Sequence, residues 1–170
     1  MATYDVVLLI EQALSELDVQ QVTALHEAIE DPVRYHVLLP VTDAATTVAA
    51  GVGSLGMGDM TVSPASWEAA ERVRAEEHET AEKDVASAES LFIAGGYQAT
   101  STLIEGEPLA PLAAKVAEVD AAEVIIMTRP HVIAEFFHVD WTSRARRKLN
   151  VPVLHLIEHE NFDEQATGIQ

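Results

Sequence analysis

The sequence predicts an α/β protein, a five-stranded parallel sheet wound in both directions with helices on both faces. Three observations lead there. Short apolar runs alternate with longer segments whose apolar residues recur at helical spacing, the order that parallel βαβ units require. Val124-Ile125-Ile126-Met127 is apolar at every position, as a strand covered on both sides must be. The turn signals fall between the runs, at Asp31-Pro32, Gly95-Gly96, Glu105-Gly106-Glu107-Pro108 and Asn150.

Asp5-Val-Val-Leu-Leu-Ile10 is the first and central strand. Val19, Val22, Leu25, Ala28 and Ile29 form a helical stripe over about 15–30, ended by Asp31-Pro32 because the residue before a proline avoids the helical region. Tyr35-His-Val-Leu-Leu-Pro-Val41 is the second strand, with Pro40 at its end since it donates no ladder bond. Residues 44–50 fit a short helix, and Gly51, Gly53, Gly56 and Gly58 mark a mobile loop within 43–64. Ser63-Pro64 opens a long charged helix over 65–94, with Trp67, Ala70, Ala81, Val85, Ala88 and Leu91 as its buried stripe and Gly95-Gly96 as its stop. The remaining elements are a strand at Gln98–Ile104, a helix from Leu109 to near Asp120, a strand at Val124–Met127, a helix capped by Thr142 or Ser143 and ending at Asn150, and a last strand at Val151–Ile157. Residues 160–170 read as a disordered tail.

A chain of 170 residues is expected to be one domain, large enough to bury about 70% of its unfolded surface. No positively charged apolar leader opens it and its apolar runs are strand length, so neither a secretory signal nor a membrane span is expected. The absence of cysteine excludes disulfides and thiol catalysis and fits a cytoplasmic protein. The net charge of -18 repels nucleic acid and anionic membrane, which are therefore not expected partners.

Gly106-Glu-Pro108, the Val-Ile-Ile-Met-Thr-Arg run at 124–129 and Asn150-Val-Pro-Val153 resemble the C-terminal half of the universal stress protein family. That family's pattern is Gly-Asp-Pro, a buried strand, Gly-x2-Gly-x9-Gly-Ser/Thr, then Cys-Pro-Val. The frame is kept while Met127, Pro130, Asp140 and Trp141 stand where the family has Gly, Gly, Gly and Ser/Thr. The resemblance implies a Rossmann-like sheet of the adenine nucleotide alpha hydrolase type, strand order 3-2-1-4-5. Such sheets bind ligands beyond the C-terminal ends of their strands, where the winding reverses. The cleft candidates are then Glu11, Gln12, Thr42, Asp43, Thr128, Arg129, Thr142, Ser143 and Arg144. Glu11 takes the place of the family's nucleoside-holding Asp.

The phosphate end departs from the family. Glycines let backbone N–H groups approach phosphate, and a helix N-terminus adds partial positive charge. Asp140 would repel phosphate there, Trp141 would fill space, and Pro130 has no N–H to offer. ATP binding in the usual family manner is not expected, and no cofactor is assigned. Phe136, Phe137 and Trp141 concentrate aromatic surface where the family has a glycine loop; they either cap the cleft from inside or contact a second chain.

Two further clusters have a bland reading beside a functional one. Arg144, Arg146, Arg147 and Lys148 can hold an anionic group, or simply decorate a solvated face near a helix C-terminus. His131, Glu135 and His138 would share a helical face and are weak metal candidates; the bland reading is that His131 and His138 flank an apolar packing segment, Val132-Ile133-Ala134 and Phe136-Phe137. His155 and His159, with Glu158 and Glu160, add possible ligands near the C-terminus. Gly51-Val-Gly53-Ser-Leu-Gly56 is only superficially a dinucleotide loop, without a preceding strand and with its third glycine misplaced. No nucleophile elbow, P-loop or metalloprotease motif appears.

These readings point to a non-catalytic homodimer with a partner- or ligand-binding role. The resemblance places the last strand on a sheet edge, where proteins similar to this one pair it with a two-fold mate. The alternative is a protein or enzyme binding a nucleotide or anionic metabolite between strands 1 and 4, with Glu11, Asp43 or His131 as acid-base groups.

Overall fold

Five strands and four helices alternate along the computed structural model, which describes residues 2–41, 64–128 and 139–157. In order they are β1 (Tyr4–Leu9), α1 (Glu16–Ala24), β2 (Val33–Val41), α2 (Pro64–Ala94), β3 (Gln98–Glu105), α3 (Leu109–Val119), β4 (Glu123–Thr128), α4 (Val139–Leu149) and β5 (Val153–Ile157). All pairings are parallel and the order is β3-β2-β1-β4-β5. The expected sheet is therefore the observed one. β1 is central, with Val7 opposite His36 on β2 and opposite Val124 on β4.

Alternation along β1 feeds two separate cores. Val6, Leu8 and Ile10 join Tyr35, Val37 and Leu39 beneath α1 and α2, where Val19, Val22, Ala81, Val85, Ala88 and Phe92 close the layer. Val7 and Leu9 face the other way, with Leu38, Val124 and Ile126, against Leu109, Leu112 and Val116 of α3 and Ala145 and Leu149 of α4. Each large side chain fully buried in this way contributes about 1.5–3 kcal/mol.

Several boundaries differ from expectation. Ser15 caps α1 in a reciprocal box: its Oγ accepts from the Asp18 N–H, and the Asp18 carboxylate accepts from the Ser15 N–H at 2.7 Å. The helix stops at Ala24 rather than near Glu30. The chain then turns, with the His26 N–H donating to the Thr23 carbonyl and the Ile29 N–H to that of His26, and His26 is drawn inside. α2 ends as expected, on Gly96 at φ +89°, a left-handed residue whose N–H donates to the Ile93 carbonyl. Its expected apolar stripe is only partly buried. Ala81, Val85 and Ala88 are core, Phe92 is an unforeseen member, and Trp67 is 58% exposed. The reason is length: 31 residues of helix span about 46 Å, more than strands of this sheet can cover. α4 begins at Val139, so Thr142 and Ser143 lie within the helix instead of capping it. β5 begins at Val153, because Asn150 is left-handed at φ 55° and Pro152 has no N–H to donate.

Candidate functional site

A cavity of about 340 Å³ opens where β1 and β2 end. Glu11 follows β1, and Leu39 and Pro40 come from β2. Val73, Glu76, Glu77, Thr80, Ala81 and Asp84 come from α2. An apolar floor is thus ringed by four carboxylates. No basic side chain lines it among the described residues. Glu77 Oε2 is buried without a hydrogen-bond partner among them. The chemistry of such a lining opposes phosphate and suits a neutral or cationic polar group.

Of the expected cleft residues that are described, Glu11 alone lines this cavity. Thr128 is fully buried, and its Oγ1 lies 2.7 Å from Nε2 of His155. Gln12 is half-buried next to Glu11 but outside the lining. Ser143 and Arg144 are exposed on α4, and the Ser143 carbonyl accepts from Arg147 Nε at 3.2 Å. Thr42, Asp43, Arg129, His131, Glu135 and His138 lie outside the described residues, as do Phe136, Phe137, the loop at 43–63 and the tail from 158. Of Thr142 and Trp141 only the backbone is described, in the first turns of α4. Among the described residues no group of three or more His, Asp or Glu could hold a metal ion, and no helix is long and apolar enough to cross a membrane.

Two polar networks went unnoticed in the sequence. His26, 4% exposed, has Nδ1 2.8 Å from the Tyr35 hydroxyl and Nε2 paired with the Glu123 carboxylate. Burial, then Tyr97 and Glu123, push the Tyr35 hydroxyl well up, so it stays protonated and donates. On the opposite face of the sheet, His36 Nε2 lies 2.7 Å from Asp5 Oδ1 and His36 Nδ1 lies 3.0 Å from Thr100 Oγ1. Burial raises the Asp5 carboxyl, but hydrogen bonds from His36 and Thr3 and the Arg34 charge outweigh it and hold the group below its ordinary range. The available signal was polar residues placed inside strands: Asp5, His36 and Thr100 each interrupt a run that should alternate or be wholly apolar.

Burial pushes the His155 imidazole below its ordinary value. The fold thus favours the neutral ring, and the unfolded chain takes up the proton first. Stability is expected to fall as pH drops below about 6.5 toward the depressed folded value. Asp5, depressed in the fold, adds a second loss as pH falls through the carboxylate range. Thermal melts of wild type and His155→Gln across about pH 2–8, the span of these two groups, check this. The variant should lose the upper limb and keep the lower one.

The fold and the position of the cavity define a class: doubly wound parallel α/β proteins with a site at the C-terminal ends of the strands. Within that class the chain has the fold of the universal stress proteins. A universal stress protein from Archaeoglobus fulgidus is 18% identical, with 90% of this chain and 93% of that one covered and a TM-score of 0.52. The hypothetical protein MJ0577, the subject of a structure-based assignment of biochemical function, is 12% identical over 94% and 100%, with a TM-score of 0.62. A universal stress protein family protein from Arabidopsis thaliana, solved with AMP bound, is 12% identical over 94% of each chain, with a TM-score of 0.52. No protein-family model and no curated protein matches the chain.

Proposed function

We propose that this chain is a divergent universal stress protein, a cytoplasmic homodimer that binds a ligand or partner without catalysing a reaction at its strand-end site, and that it does not hold ATP in the usual family manner. The carboxylate ring of the cavity carries the reading. Glu11, Glu76, Glu77 and Asp84 meet where β1 and β2 end, so a triphosphate entering there would approach like charge in a partly desolvated space. The replaced glycines at Met127, Pro130 and Asp140 support the same conclusion, because they remove the close backbone approach that phosphate needs.

The dimer reading rests on β5. It is an edge strand, and its Leu154 is 37% exposed, an apolar edge of the kind that proteins normally cover. Pairing with a two-fold copy would cover it. The alternative of an adenine nucleotide or anionic metabolite between β1 and β4 draws on the AMP bound to the Arabidopsis thaliana protein.

Native mass spectrometry tests both parts in one experiment. Wild-type protein with excess Mg-ATP is expected as a dimer carrying no nucleotide, and Leu154→Lys as a folded monomer. Nucleotide retained on the wild type overturns the ATP reading. A Leu154→Lys dimer of undiminished strength overturns the β5 interface.

A further inference from the structure

The Asp5–His36–Thr100 network has an arrangement beyond what register alone requires. Asp5 and His36 are each 6% exposed, while Thr100 reaches solvent. His36 bridges them, with Nε2 2.7 Å from the carboxylate and Nδ1 3.0 Å from the hydroxyl. Thr3 Oγ1 donates to the second Asp5 oxygen at 2.6 Å, and Arg34 Nη1 stands 3.7 Å from the first. The imidazole is therefore fixed in one orientation. With Nε2–H donating to the carboxylate, a neutral ring would present its Nδ1 lone pair to the threonine O–H. A hydroxyl, a base in hydrogen-bond reach and a carboxylate that holds the base form the arrangement of an activated nucleophile.

The threonine is open to solvent at the edge of this face. α3 packs over β1 on this face, and farther out Gln98, Thr100 and Thr102 of β3 are exposed. Among the described residues no strand pairs with the outer side of β3. An edge strand carries unpaired backbone N–H groups, the donors that an oxyanion formed at Thr100 would use. The network lies toward the N-terminal ends of β1, β2 and β3, away from the carboxylate-ringed cavity.

We infer that Thr100, with His36 as its base and Asp5 as a positioning residue, forms a second site that accepts an acyl group from small activated esters. Thr100 Oγ1 bonds to the ester carbonyl carbon as its proton passes to His36 Nδ1. Collapse of the tetrahedral adduct breaks the bond to the leaving oxygen, which departs with its electron pair and takes the proton from His36 where it is basic enough. Nitrophenolate leaves without it, and His36 Nδ1 then gives that proton to solvent. An acyl-Thr100 ester remains. Water, deprotonated by His36, then releases the carboxylic acid and restores the hydroxyl.

The test uses p-nitrophenyl acetate with full-length protein, following nitrophenolate release and mapping acetyl groups by peptide mass spectrometry. Wild type is expected to carry acetyl on Thr100. Thr100→Ser keeps the label at that position, and Thr100→Val abolishes it. His36→Gln slows acylation by about 100-fold. Asp5→Asn slows it too, and Asp5→Glu, which keeps the carboxylate, recovers part of the rate; equal losses in the two variants would reduce Asp5 to a structural role. Circular dichroism checks folding, and if His36→Gln unfolds, the Thr100 pair decides alone. Acetyl found only on lysines or the N-terminus, or a Thr100→Val rate equal to wild type, overturns the inference.

Discussion

Phe92→Ala is expected to lower stability by about 3–5 kcal/mol, the range for truncating a buried aromatic side chain. Phe92 is fully buried. Its ring stacks on Tyr35 with centroids 4.4 Å apart and planes at 25°. Tyr35 in turn meets His26 and Tyr97 edge-on at 5.6 and 5.5 Å. Removing Phe92 therefore strips dispersion contacts from the ring that also anchors the His26–Glu123 pair. In a chain of this length the loss should appear as a melting point lower by on the order of 10 °C. Phe92→Leu, which keeps most of the volume, should lose less than half as much. Denaturant unfolding of both variants measures this. A loss below about 1.5 kcal/mol for alanine would mean that α2 collapses onto β2 and refills the space.

Glu77→Leu should act in the opposite direction and stabilise the protein by about 1–3 kcal/mol, the penalty of a buried polar atom without a partner. Among the described residues Oε2 of Glu77 is such an atom, and the substitution keeps a good helix former within α2. It also removes one of the four carboxylates around the cavity. The same variant should therefore repel nucleotide less, and AMP titration by calorimetry would detect a gain in affinity. Unchanged or reduced stability would mean that Oε2 is satisfied by a bound cation, and that the cavity serves positive charge.

The element sequence was legible because local pattern and topology agree: β4 is apolar on both faces, and the turn residues stand at the joints. The strand order was legible only through the family resemblance. The end of α1 was not legible. The apolar stripe continues to Ile29, but His26 finds partners in Tyr35 and Glu123, and those non-local bonds outcompete the last helical turn. Trp67 was misplaced for a related reason, since periodicity marks a helix face without saying where the sheet beneath it stops. At the candidate site Glu11 was legible from the end of the first strand. Glu76, Glu77 and Asp84 were not, because acidic residues on a charged helix look like a solvated face. The bond between Thr128 and His155 was not legible either. In each case the missing information was a partner far away in sequence.

The central position of β1 has a consequence for how the protein assembles. Its pairing with β2 closes a segment of some thirty residues, whereas its pairing with β4 joins Val7 to Val124, roughly four times as far along the chain. The longer closure carries about 1.2 kcal/mol more entropic penalty, so the β1–β2 unit should form before β4 and β5 dock. Folding would then end, and unfolding begin, along the line between β1 and β4. The ligand cleft of a doubly wound sheet lies on that same line. An occupant bridging the two strands would act as a latch, lengthening the lifetime of the native state while leaving the rate of its formation nearly unchanged.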